Sequence, residues 1–171
     1  MIKRKLVLVA GILLATSFNL SAQNYKAKFI NAFTRYMDWP DRAKQGFFNI
    51  GVYGSFDLYK EISEETMGRT VGSQNVVAIN ILKENQLDLT KLHILVIGKK
   101  YCTPEHLKRI TSKFSNSYTL IVTEDSGVLN GAGISFENRG TTLGFKYNLA
   151  NINNKGIAAS GQFKSMGQEV N

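Results

Sequence analysis

The run His93-Ile94-Leu95-Val96-Ile97-Gly98 constrains the fold more than any other stretch of the chain. Its core is apolar at every position, so no face is left for water, as in the strands of a parallel sheet covered by helices on both sides. Neighbouring segments fit that setting. Phe48, Ile50 and Val52 alternate with Asn49 and Gly51 and predict a strand over about residues 47–53. Val76 to Ile81 and Tyr118 to Thr123 predict two more. Between them, Gly54-Ser55 opens a helix carrying Leu58, Tyr59 and Ile62, and Thr103-Pro104-Glu105 opens another carrying Leu107, Ile110 and Phe114. The second start has a capping hydroxyl, proline at the first helical position and an early acid. Residues 67–74 are expected to form a loop and 83–90 a polar linker. Gly131 to Phe136 and Thr141 to Tyr147 flank Asn138-Arg139-Gly140 and predict a β-hairpin. The order predicts an α/β single-domain sandwich: a mixed, largely parallel sheet flanked by helices, with a C-terminal β-hairpin. Leu149, Ile152 and Ile157 give a weak helical pattern, and the last ten residues are polar and expected to fray.

The stretch from Tyr25 to Pro40 adds a helix at the front. Tyr25, Phe29, Ala32, Phe33, Tyr36 and Met37 recur at helical spacing on one side, with Lys26, Lys28, Asn31 and Arg35 largely off it. Pro40 stops the helix and moves Trp39 out of helical conformation. Such an aromatic face must be covered by the rest of the domain or by a partner.

Before this helix, Lys3, Arg4 and Lys5 precede an apolar stretch from Leu6 to Ala15 and small residues up to Ala22. That is the pattern of a secretory signal (residues 1–22) cleaved after about Ala22, leaving 23–171 as the mature domain. The apolar stretch is shorter than the roughly 20 residues a membrane span needs. A periplasmic location follows. Loss of the signal removes three of the charges that make up the net +8 of the whole chain. The remaining basic residues are scattered among acids, unlike the concentrated stripe of a nucleic-acid binder, so no nucleic-acid partner is expected. The one cysteine, Cys102, rules out an internal disulfide despite an oxidising compartment.

Residues capable of catalysis are few. Cys102 lies between a predicted strand end and a helix N-terminus, a position that can lower a thiol pKa, and is the candidate reactive thiol. Its histidine companions would be His106, four residues on, or His93 at the head of a buried strand. No metal-ligand set of usual spacing is present with two histidines and one cysteine, and no cofactor is expected. Gly51, Gly54 and the glycines from Gly127 to Gly133 lie where an α/β sheet offers a ligand crevice, yet they lack the dinucleotide and phosphate-loop signatures.

Taken in order, Lys26 to Pro40, Phe48 to Gly54, Leu92 to Ile97, Thr119 to Thr123, Gly131 to Phe136, Leu143 to Asn148 and Ile157 to Ser160 resemble the YfiR (YfiR/HmsC-like) family of periplasmic regulatory proteins, over about residues 24–166. The resemblance implies a regulator without catalysis of its own. Its best-known members bind the periplasmic part of an inner-membrane diguanylate cyclase and hold it inactive, and their release raises cyclic-di-GMP and promotes biofilm formation. This chain departs from the family at Leu92, where a central-strand cysteine often stands, so redox control through an internal disulfide is closed to it. An intermolecular disulfide through Cys102 stays open.

The expected function is therefore non-catalytic repression of a membrane-bound signalling protein, a diguanylate cyclase or sensor kinase. Arg35, Trp39 and Arg42 are the candidate partner interface, since Trp and Arg dominate interface energetics; for Trp39, plugging the core is the competing role. Homodimerisation stays open. The alternative is a periplasmic small-ligand-binding domain, or a thiol-dependent enzyme using Cys102.

Overall fold

The computed structural model describes residues 25–89 and 91–171; the predicted signal lies outside them. Helix α1 spans residues 25–36. Strand β1 (Met37–Asp38), β2 (Phe48–Tyr53), helix α2 (Phe56–Thr66), β3 (Thr70–Val71), β4 (Gln74–Ile81), β5 (Ile94–Ile97), α3 (Pro104–Lys113), β6 (Leu120–Thr123), β7 (Ile134–Arg139), β8 (Thr142–Tyr147), α4 (Leu149–Asn153), β9 (Ala158–Ala159), α5 (Gly161–Met166) and β10 (Gln168–Glu169) follow. Eight strands form one sheet in the order β10-β8-β7-β6-β5-β2-β4-β3. Strands β4, β2, β5, β6 and β7 run parallel, and β8 closes an antiparallel hairpin on β7 through the pair Arg139↔Thr142. The α/β fold with a mixed, largely parallel sheet and a C-terminal strand pair is as the sequence predicts.

Both faces of the central strands are covered. Ile94 and Val96 of β5, with Leu120 and Val122 of β6, join Ile30 and Phe33 of α1 and Leu58 and Ile62 of α2 in one core. Leu95, Ile97 and Ile121 point the other way, onto Leu107, Ile110 and Phe114. Single-residue alternation between two cores is what an uninterrupted apolar run requires.

The aromatic side of α1 is covered by the domain itself. Phe33 meets Phe145 at 5.0 Å and Phe163 at 5.6 Å, both edge-on, and Phe29 meets Phe145 at 5.3 Å. Each buried Phe contributes about 1.5–3 kcal/mol by area alone, and favourable aromatic pairs add about 0.5–1.5 kcal/mol. The helix ends at residue 36, before the proline, because Met37 and Asp38 pair antiparallel with Ala159 and Ala158. Two residues expected off the apolar side are also engaged: the Asn31 amide donates to Glu65 of α2 at 2.8 Å, and Lys26 bonds Glu124.

Three other expectations are corrected. Residues 67–74 are not all loop: β3 pairs with the start of β4 through Val71↔Gln74, a two-residue connection at Gly72-Ser73. The 83–90 linker contains a 3-10 helix, Glu84–Asp88, held down by buried Leu87. The chain end does not fray through its last ten residues, because Phe163 is fully buried against the aromatic cluster and β10 pairs with β8. A single aromatic outweighs a polar composition there.

Candidate functional site

The amino ends of β2, β5 and β6 carry a closed polar network. Trp39, 3% exposed, stands edge-on to Phe48 at 4.8 Å, and its Nε1–H is shared between the carbonyls of His93 (3.3 Å) and Tyr118 (3.2 Å). His93 stacks on Phe48 at 4.3 Å. Its Nδ1 accepts from the Asn49 N–H at 3.1 Å, so the proton sits on Nε2, which donates to the Ala43 carbonyl at 2.7 Å. Burial pushes the His93 pKa down, consistent with a neutral ring whose two nitrogens are both used. Trp39 thus plugs the amino end of the sheet and supplies a donor to loop carbonyls. Of the three candidate interface residues, Arg35 and Arg42 are exposed while Trp39 is buried. Sequence reasoning missed Phe47, which is 58% exposed immediately before β2.

At the opposite end, the strand order reverses between β2 and β5, the place where open α/β sheets form their crevice. Here the two loops touch. The Gly98 N–H donates to the Tyr53 carbonyl at 2.8 Å. A Cβ on Gly98 would fall 2.5 Å from the Gly54 carbonyl oxygen, and one on Gly54 would fall 2.3 Å from the Tyr101 ring. Gly54 also has φ +82°, which favours glycine. Tyr101 stacks on Tyr53 at 4.4 Å, and burial beside Tyr101 pushes the Tyr53 phenol up to about 12. The crevice is filled by the protein's own aromatic.

The basic groups near it are engaged as well. Glu124 accepts from Lys26 Nζ at 2.6 Å and from the Lys99 backbone N–H at 3.2 Å. Lys99 Nζ lies 3.7 Å from Asp125. Glu61, on α2, has an inaccessible Oε2 without a hydrogen-bond partner; burial and then the nearby Asp57 and Glu64 charges raise its pKa. Gly131, with φ +91°, turns the chain against Thr111 of α3.

Cys102 is half-buried, with Sγ 3.5 Å from the Ile97 carbonyl and 3.4 Å from that of Gly98. Burial pushes its pKa up, the reverse of the activation its place before a helix suggests. His106 is committed elsewhere: its ring lies 5.0 Å from Tyr101 and its Nδ1 is 3.1 Å from Arg109, which binds Glu84 through two bonds of 2.8 and 2.7 Å. His93 is at the amino end of the sheet, so no Cys–His pair is assembled from these residues. Among the described residues no group of three or more His, Cys, Asp or Glu is placed to hold a metal ion. No helix among them is long and apolar enough to cross a membrane.

A family model described as YfiR/HmsC-like matches residues 23–167. The chain belongs to the YfiR/HmsC-like family. No curated protein matches it. In this YfiR/HmsC-like chain Leu92 is buried with its methyl groups against Gly51, so the position fills the core beneath α3 rather than offering a thiol.

Proposed function

We propose that this chain is an exported, non-catalytic regulator that binds the periplasmic part of an inner-membrane signalling protein, a diguanylate cyclase or sensor kinase, and represses it. The observation that carries this reading is the family match over residues 23–167. A YfiR/HmsC-like identity is consistent with a periplasmic regulator of cyclic-di-GMP signalling. The geometry supports binding over chemistry: the thiol is masked, both histidines are engaged in packing or hydrogen bonds, and the switch-point crevice is filled.

The contact surface in this reading is the amino-end rim. Arg35 and Arg42 are exposed there, and Phe47 adds an aromatic anchor. Trp39 acts by bracing the rim from behind, through Phe48 and the carbonyls of His93 and Tyr118. Exposed arginine with an aromatic is the composition that carries interface energy. The test is recovery of inner-membrane proteins on the tagged mature chain, compared with an Arg35→Glu/Arg42→Glu/Phe47→Ser variant. A specific membrane protein retained by the wild type and lost by the variant is expected. Equal recovery by both would remove the rim from the proposal, and repeated absence of any membrane partner would overturn the function itself.

A further inference from the structure

Helices α1 and α2 both start at the carboxyl end of the sheet and run side by side. The Asn31–Glu65 bond joins them, and the Lys26–Glu124 pair fixes the start of α1 beside the end of β6. Each helix opens on an aromatic that faces solvent, Tyr25 in α1 and Phe56 in α2. A lysine one turn on lies over each ring: Lys28 Nζ is 5.5 Å from the Tyr25 centroid, and Lys60 Nζ is 5.4 Å from that of Phe56. Strand β4 ends level with β2 at Tyr53↔Ile81, and Leu82 and Lys83 follow. Lys99 and Lys100 leave the end of β5, the other neighbour of β2, with Lys100 Nζ 5.4 Å from the Tyr101 centroid. Tyr25, Phe56 and Leu82 are each more than half exposed. This end of the domain thus presents three apolar tips fringed by lysines.

Most acids near them are already paired. Asp57 meets Lys60 at 3.2 Å, Asp125 meets Lys99 at 3.7 Å, Glu124 holds Lys26 and Glu84 holds Arg109. Glu105 starts α3 on the opposite face of the sheet. Among the described residues Lys28, Lys83 and Lys100 have no acidic partner within salt-bridge distance. The free cations at this end are therefore lysines, where the amino-end rim displays Arg35 and Arg42. Interfaces between proteins are enriched in arginine and depleted in lysine. Lysine instead lays its stem along apolar surface with the ammonium at the phosphates of a bilayer, and aromatic rings settle at the headgroup level.

We propose that this end of the domain rests on an anionic phospholipid bilayer. Tyr25, Phe56 and Leu82 enter the boundary between headgroups and acyl chains, and Lys28, Lys83 and Lys100 lie among the phosphates. The predicted signal joins the domain at this same end, through Tyr25, so export leaves these side chains next to the bilayer. Strand β7 runs on to Arg139 past its last pair with β6, Thr123↔Ser135. The hairpin therefore flanks the surface, and the bilayer is met obliquely from the side of α2 and β4. The inference does not rest on the partner proposed for the amino end, and it leaves that rim facing away from the membrane.

The experiment uses the chain without residues 1–22 and sucrose-loaded vesicles of phosphatidylethanolamine with about one-third phosphatidylglycerol, at low salt. The chain is expected to sediment with these vesicles, and Lys28→Glu/Lys83→Glu/Lys100→Glu to weaken that partition at least about ten-fold. Phe56→Ser/Leu82→Ser should weaken it several-fold, and Arg35→Glu/Arg42→Glu should leave it unchanged. A second readout places an environment-sensitive dye on Leu82→Cys or Phe47→Cys, each with Cys102→Ser to leave no native thiol. The vesicles should shift the dye emission to the blue at position 82 and not at position 47, which keeps the proposal testable if the triple variant fails to fold. Absence of sedimentation, equal loss in the amino-end variant, or a blue shift at position 47 alone overturns the proposal. So does recovery of a membrane protein that needs Lys28, Lys83 and Lys100 when the lipid alone does not bind, because the surface would then belong to a protein.

Discussion

The two ends of the sheet are both closed, but by different physics. At the amino end, Trp39, Phe48 and His93 make a buried plug in which each side-chain polar atom has a neutral partner. At the carboxyl end, closure depends on glycines that let two loops touch beneath Tyr101, and on an ion pair between Lys26 and Glu124. The first closure frees the surrounding rim to display Arg35, Arg42 and Phe47. The second removes the crevice in which many α/β domains hold ligands. The comparison teaches that one sheet can close its two ends by unlike means, neutral hydrogen bonds at one and close backbone approach with an ion pair at the other.

The largest expected effect falls on the amino end. Trp39→Ala should cost about 3–5 kcal/mol, the range for a deleted core aromatic, and it also strips the donor from two carbonyls; urea unfolding measures it. At the carboxyl end, Lys26→Met leaves Glu124 largely buried without its partner, and a loss of about 3 kcal/mol is expected in the same assay. Should Lys26→Met prove neutral, the ion pair is incidental and the two ends differ less than described.

Gly54→Ala should cost about 2 kcal/mol, part from overpacking against Tyr101 and part from the positive φ. Adding Tyr101→Ala is expected to recover only the overpacking part. Full recovery would mean that the backbone conformation is not a constraint.

Acid dependence separates the ends by sign. His93 has a folded-state pKa below its ordinary 6.5, so the unfolded chain takes up the proton first. Its contribution is intact above 6.5 and is lost as pH falls below it. Glu61 has a folded-state pKa above its ordinary 4.5, so its burial penalty grows as pH rises past 4.5. Denaturation series across pH should therefore flatten in opposite directions for His93→Gln and Glu61→Gln. The smallest stability effects are expected at the rim: Arg35→Ala and Arg42→Ala should stay within about 0.5 kcal/mol of wild type, while lowering partner recovery.

Much of the fold was legible because it rests on local pattern. The run Ile94–Ile97 announced a doubly covered strand, and Thr103-Pro104 announced the start of α3, where the Thr103 hydroxyl accepts the His106 N–H at 3.4 Å. What escaped depended on one residue acting at a distance. Phe163 anchors the chain end from within a polar stretch, and Leu87 does the same for residues 84–88. Of the candidate site, residue type drew attention to Arg35, Trp39, Arg42 and Cys102, but exposure sorted them, and exposure belongs to the packed structure. The glycines Gly54 and Gly98 were visible as turn residues, whereas the Tyr101 ring over Gly54 was not.

By itself the sequence determined the central strands and the helices α1, α2 and α3 beside them, that the central strands are buried on both sides, and that a YfiR/HmsC-like fold results. Periodicity and capping are short-range signals, written in residues a few positions apart. Only the tertiary structure decided that Trp39 points inward, that Glu124 pairs with Lys26, and that Phe163 holds the chain end against the aromatic cluster. Those outcomes depend on which distant segment reaches a given group first, and hydrogen-bond partners and exposure are set by that competition in space.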